Sequence, residues 1–147
     1  MNMLPVKFKL EDGAVMPKYA KPGDAGLDLV AIYSVINSDY NYIEYDTGVS
    51  VEIPEGYVGL LFPNSRVSKK TLILANCVGV IDSGYRGNIL FRYKLTDNLD
   101  DALSPRLYEN GDVIGQLIIM PYPQIAPIEV DKLSETERGT GGFGSTQ

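Results

Sequence analysis

GNILFRYKL, residues 87–95, sets four apolar side chains, Ile89, Phe91, Tyr93 and Leu95, at alternate positions, with Arg92 and Lys94 between them. Successive side chains of a strand point to opposite faces, so this period gathers the apolar set on one side. A helix would scatter it. VKFKL (6–10) repeats the pattern, with Val6, Phe8 and Leu10 set against lysines. YVGLLF (57–62) and VIGQLIIMPY (113–122) are continuous apolar runs and read as more fully buried strands. Turn chemistry punctuates these segments: PGD at 22–24, PEG at 54–56, DSGYRG at 82–87 and NGD at 110–112. No twelve-residue window has convincing helical amphipathicity, and the best helical candidate is a short piece within SRVSKKTLILA (65–75). The pattern predicts an all-β fold, a jelly-roll-like barrel or sandwich with at most one short helix.

Composition bounds the chemistry. A chain of 147 residues, 44% of them hydrophobic, is expected to form one domain with a substantial core. It contains no histidine and one cysteine, Cys77. That removes histidine bases, Ser-His-Asp and Cys-His nucleophiles, histidine-ligated metals and an internal disulfide. Catalysis must rest on carboxylates, Lys, Arg, Tyr, hydroxyls, backbone amides or a hard cation such as Mg²⁺. A net charge of −6 argues against a nucleic acid polymer as partner but leaves room for a single nucleotide in a local cationic pocket. No apolar run is long enough to span a membrane, and the N-terminal MNMLPVKFKLEDG does not read as a secretory signal. A cytoplasmic location is expected, or the host cytoplasm if the chain is phage-encoded.

Four stretches depart from the strand pattern in ways that suggest chemistry. PNSRVSKK (63–70) concentrates an arginine and two lysines in an acidic chain, either as a solvated loop or as a pocket for an anion. GVIDSGYRG (79–87) places Asp82 at the mouth of a glycine-bounded turn with Tyr85 and Arg86 behind it; Asp-Ser-Gly is also ordinary turn chemistry. DAGLDL (24–29) puts Asp24 and Asp28 around Gly26, and Asp28 within an apolar strand needs a cation or a hydrogen-bonding partner. RGTGGFGSTQ (138–147) holds four glycines. It matches G-x-G-x-x-G at Gly139, Gly141 and Gly144, but no helix can follow so near the end, so the dinucleotide-fold reading fails. Such a segment is either a disordered terminus or a flexible arm whose amides wrap phosphate. TDNLDDALSPRLYENG (96–111) is acidic and reads as an exposed excursion between strands.

DAGLDL, PNSRVSKK, GVIDSGYRG, GDVIGQL (111–117) and RGTGGFGST follow the order and approximate spacing of the five motifs of the trimeric dUTP pyrophosphatases (dUTPases). The chain resembles that family over residues 22 to the last few. The resemblance implies a homotrimer of jelly-roll subunits that cleaves dUTP to dUMP and pyrophosphate with Mg²⁺. It divides the chain into a barrel domain, 1–130, and a C-terminal arm, 131–147, that closes over a neighbouring subunit's site. It implies Asp82 as the general base for the water that attacks the α-phosphorus, and Asp28 as a carboxylate holding the Mg²⁺ water shell. Asn76 and backbone groups of Gly79, Val80 and Ile81 would read uracil, and Tyr85 would pack under the deoxyribose and exclude a 2′-hydroxyl. Gln116 would lie near the phosphates. Phe143 would stack on the base, with Arg138, Gly144, Ser145 and Thr146 meeting the γ-phosphate. Cys77 would be a buried packing residue beside Asn76.

Two departures from the family pattern stand out. Relatives usually read Pro-Arg-Ser-Ser or Pro-Arg-Ser-Gly in the second motif, whereas here position 64 is Asn, Ser65 is kept and the arginine appears at 66. Either Arg66 reaches the phosphates or Asn64 makes a neutral contact. Val113 occupies a position often basic in relatives. Two other functions share the implied fold: a nucleotide-binding regulatory protein with weak catalysis, and a dCTP deaminase.

Overall fold

A computed structural model describes residues 3–96 and 106–145. Among these residues, nine strands lie in two antiparallel sheets: β1 (Lys7–Leu10), β2 (Leu27–Val30), β3 (Tyr33–Asn37), β4 (Tyr42–Glu52), β5 (Tyr57–Phe62), β6 (Leu72–Leu74), β7 (Gly79–Ile81), β8 (Asn88–Leu95) and β9 (Val113–Pro121). One sheet runs β1-β4-β8-β6 with β3 also on β4, and the other runs β2-β9-β5-β7. The all-β, jelly-roll-like expectation holds. Among the described residues the helical element is a 3₁₀ turn, Ser65–Lys69, inside the segment expected to supply a short helix.

The alternation in β8 works as expected. Ile89, Phe91, Tyr93 and Leu95 are all buried, while Arg92 faces outward and meets Glu44 at 2.6 Å. Tyr93 stacks against Phe91 and meets Tyr45 edge-on, and its hydroxyl donates to the carbonyl of Ile114 on the opposite sheet at 2.5 Å. Each such buried side chain stabilises the sandwich by about 1.5–3 kcal/mol. The longest strand, β4, pairs with β1, β3 and β8 and sends Ile43, Tyr45, Thr47, Val49, Val51 and the following Ile53 into the core. Its period-two signal is plain in YIEYDTGVSVEI, although polar residues on the alternate positions break up the apolar run.

Three expectations need correction. β5 and β9 are not fully buried strands: β5 buries Gly59 and Leu61, β9 buries Ile114, Gly115 and Leu117, and the end of β9 leaves Met120 exposed. Of the 96–111 excursion, residues 97–105 lie outside the described residues, but Tyr108 beyond them is not part of an exposed loop. It is buried because its ring packs on Tyr45 and Tyr93, and Tyr45 bridges to both its main-chain N–H and its carbonyl at 2.9 Å. Cys77 is exposed, not buried, because it sits on the surface turn that carries the chain from β6 to β7, where its φ is 62°.

Candidate active site

The sheet β2-β9-β5-β7 carries four of the five motifs side by side. Asp28 on β2 is in register with Gln116 on β9, and Gln116 with Phe62 on β5. β5 then runs into Pro63, Asn64 and Ser65, while Leu61 pairs with Gly79 at the start of β7. Asp28, which is half-buried, also joins Lys18 through its main-chain N–H. Gln116 donates from Nε2 to the Pro63 carbonyl at 3.2 Å, tying the fourth motif to the second. Gly26 makes room for this: a Cβ there would lie 2.9 Å from both Cβ and Cδ of Gln116. The first motif therefore shapes the fourth through the absence of a side chain.

The 3₁₀ turn after Pro63 is capped by Asn64. Its Oδ1 accepts from the Arg66 N–H at 3.0 Å, and its Nδ2 donates to the Val113 carbonyl at 3.5 Å. Ser65 and Arg66 are exposed, and the Ser65 carbonyl accepts from the Ser68 hydroxyl at 2.7 Å.

Residues 75–78 cross from β6 in one sheet to β7 in the other, and the DSGYRG turn returns the chain to β8 in the first. The two crossings leave a cleft of about 200 Å³ lined by Asn76, Gly79, Val80, Ile81, Asp82 and Tyr85 among others. An adjoining hollow of about 310 Å³ shares Asn76 and Gly79 and reaches Phe91 and Arg92. Gly79 lets β7 lie tight on β5, since a Cβ would stand 2.9 Å from that of Leu61. Asp82 is exposed at the end of β7, and its carbonyl accepts from the Tyr85 N–H at 3.1 Å, closing the turn. Arg86 staples the turn from outside, donating to the carbonyls of Ser83 at 2.6 Å and Tyr85 at 3.0 Å. A larger groove, about 910 Å³, lies elsewhere, between β3 and residues 106–110, and contains no predicted site residue.

Four of the motifs thus lie over one sheet, with a cleft between the two crossings. The family model described as dUTPase matches residues 12–147.

The chain belongs to the dUTPase family.

It is 37% identical over 139 residues to the deoxyuridine 5'-triphosphate nucleotidohydrolase of Thermobifida fusca, covering 94% of this chain and 75% of that one. It superposes with a TM-score of 0.81 on the dUTPase of Staphylococcus bacteriophage 80alpha bound to dUpNHpp, at 31% identity and 99% coverage of both chains. A mutant dUTPase of phage phi11 of S. aureus, described as revealing the coordination of a structural Mg(II) ion, matches with a TM-score of 0.72 at 29% identity, covering 88% of this chain and 98% of that one.

The glycine-rich C-terminal segment is not brought to the cleft within this chain. Residues 121–140 are exposed throughout, including Ile125, Ile128 and Leu133. Arg138 donates to the Gly141 carbonyl at 3.0 Å, and Gly139 donates to Thr136, so the segment folds locally into turns. Phe143 is fully exposed at φ 52°, with Gly144 beside it at φ 80° and Ser145 donating back to Gly142. Thr146 lies outside the described residues. Among the described residues no group of three His, Cys, Asp or Glu side chains gathers to hold a metal. No described helix is long and apolar enough to cross a membrane. Sequence reasoning overlooked Asn88, at the start of β8, which lines the Asp82 cleft and whose carbonyl receives the Tyr85 hydroxyl at 2.9 Å. Its signal, one polar residue opening an alternating strand, is no different from a strand end.

Proposed function

We propose that the chain hydrolyses dUTP to dUMP and pyrophosphate by attack of water on the α-phosphorus. The observation that carries this reading is the convergence of Asn76, Gly79, Val80, Ile81, Asp82 and Tyr85 on one cleft where the chain crosses between sheets. Asn76 and the main-chain groups of Gly79 to Ile81 offer the donors and acceptors that pair with a uracil edge. Tyr85 supplies a flat wall for the sugar. Asp82 orients the attacking water and takes its proton; the new P–O bond forms as the bond from the α-phosphorus to the bridging oxygen breaks, and pyrophosphate leaves. The water's oxygen stays in dUMP. Positioning and charge neutralisation provide most of the acceleration in such a transfer.

Ser65, Arg66 and Gln116 line the phosphate end, with Asn64 shaping their turn. Mg²⁺ neutralises the triphosphate when bound. One carboxylate at the end of the motif row suits that role, because Mg²⁺ keeps its waters and leans on substrate phosphates; Asp28 would hold it through water. The arm completes the site. Its Arg138, Phe143, Gly144 and Ser145 lie away from their own cleft, and its apolar side chains are bare, as fits an arm that closes over a neighbour in a homotrimer. The activity would serve the cytoplasm by limiting dUTP and supplying dUMP.

Pyrophosphate release from dUTP, UTP and dCTP, with and without Mg²⁺, tests the reading. Mg²⁺-dependent release from dUTP alone is expected, with Asp82→Asn losing roughly 10²–10⁴-fold in kcat while still binding nucleotide. Ammonia release from dCTP would point to deamination. Tight dUTP binding without turnover would point to a regulatory protein.

A further inference from the structure

Tyr85 folds back over its own turn. Its hydroxyl donates to the Asn88 carbonyl at 2.9 Å, and its ring covers Gly87. A Cβ on Gly87 would collide with the Tyr85 hydroxyl and lie 2.7 Å from Cζ and 3.1 Å from Cε2. Gly87 is outside the left-handed region, so its backbone does not require glycine. What its missing side chain provides is the space the ring occupies.

Asn88 is held in turn. Its Nδ2 donates to both carboxylate oxygens of Asp46, at 3.1 and 3.3 Å, and its Oδ1 accepts from the Ser50 hydroxyl at 3.2 Å. The Asp46 carboxylate also accepts from the Gly48 N–H at 2.8 Å. This clamp lies where the β4–β8 register shifts between Asp46 and Ser50, so side chains take over from the regular ladder there. It fixes the residue whose carbonyl tethers the ring.

We propose that Gly87 and the Asp46–Asn88–Ser50 clamp set the sugar selectivity of the site by fixing the Tyr85 ring. Gly87 is a specificity-determining residue; Asn88 and Asp46 are positioning residues. The proposal rests on the reading of Tyr85 as the wall beneath the deoxyribose. Ribose differs from deoxyribose by one oxygen, and a ring that yields by a fraction of an ångström no longer rejects it. Tyr85 is 44% exposed, so neighbouring packing alone does not immobilise it. The hydroxyl tether and the space over Gly87 do.

The test is the ratio of kcat/KM for dUTP over UTP, read beside the melting temperature. Tyr85→Ala calibrates it and should collapse the ratio. Gly87→Ala should lower the ratio by about tenfold or more by displacing the ring and admitting UTP. Asn88→Asp should do the same by setting a carboxylate against Asp46, and adding Asp46→Asn should restore the ratio by re-forming a donor–acceptor pair. An unchanged ratio in Tyr85→Ala would remove the reading of Tyr85 and the proposal with it. A collapsed ratio in Tyr85→Ala, with Gly87→Ala and Asn88→Asp both at the parent value, would leave that reading intact and overturn the proposal. Loss in Asn88→Asp that tracks the melting temperature and is not rescued by Asp46→Asn would also overturn the clamp.

Discussion

Asn64 stands where the resemblance implies an arginine, and both hydrogen-bonding ends of its side chain are engaged within the chain. An asparagine at this position works as a cap for the turn that presents Ser65 and Arg66. Arg66 is exposed, and its charge reaches Tyr108: burial pushes that phenol up, and the guanidinium pulls the other way. Asn64→Ala is therefore expected to cost about 1 kcal/mol of stability through the lost cap. Asn64→Ser, which keeps a capping oxygen, should recover most of it in thermal melts. Arg66→Ala should raise KM for dUTP by roughly 10- to 100-fold, the worth of one charge-assisted contact of about 1.5–3 kcal/mol. A KM at the parent value would show that Arg66 does not stand in for the missing arginine.

The elements are held by a cluster of tyrosines whose ionisation opposes folding. Burial pushes the Tyr45 phenol up to about 12, and burial raises Tyr93 and Tyr108 as well. An unfolded tyrosine titrates near 10, so above that pH the unfolded chain loses protons that the folded chain keeps. Stability is then full below about pH 10 and falls as pH rises towards the folded values, by about 1.4 kcal/mol per pH unit for each such tyrosine. Urea melts between about pH 9 and 11.5 measure this slope; a flat profile would mean that the phenols ionise without opening the sandwich. β8 was legible in the sequence because its alternation was clean and its outward residues were charged. β5 and β9 misled because apolar residues on both faces do not reveal which face is covered: Val58, Leu60 and Ile118 face away from the buried row. Tyr108 comes after an acidic run, so composition placed it outside, while its ring and main chain close the aromatic cluster.

At the scale of the molecule, the glycine-rich C-terminal segment and the cleft do not meet in one chain. If arms act between subunits, a chain ending before Arg138 and a full-length Asp82→Asn chain should each be nearly inactive. Subunits mixed by unfolding and refolding should regain dUTP turnover, because some sites then combine an intact Asp82 with an intact arm. No recovery, despite mixed trimers by mass, would place arm and carboxylate in the same chain. The sequence by itself determined the β class, the order of the motifs and the exclusion of histidine chemistry, because period, residue type and spacing are properties of the chain. Tertiary structure decided that the chain crosses between sheets on both sides of β7, which brings Asn76, Asp82, Tyr85 and Asn88 to one cleft. It also decided that Gly26 makes room for Gln116 and Gly87 for Tyr85, since a missing side chain has meaning only against the neighbour that fills its space.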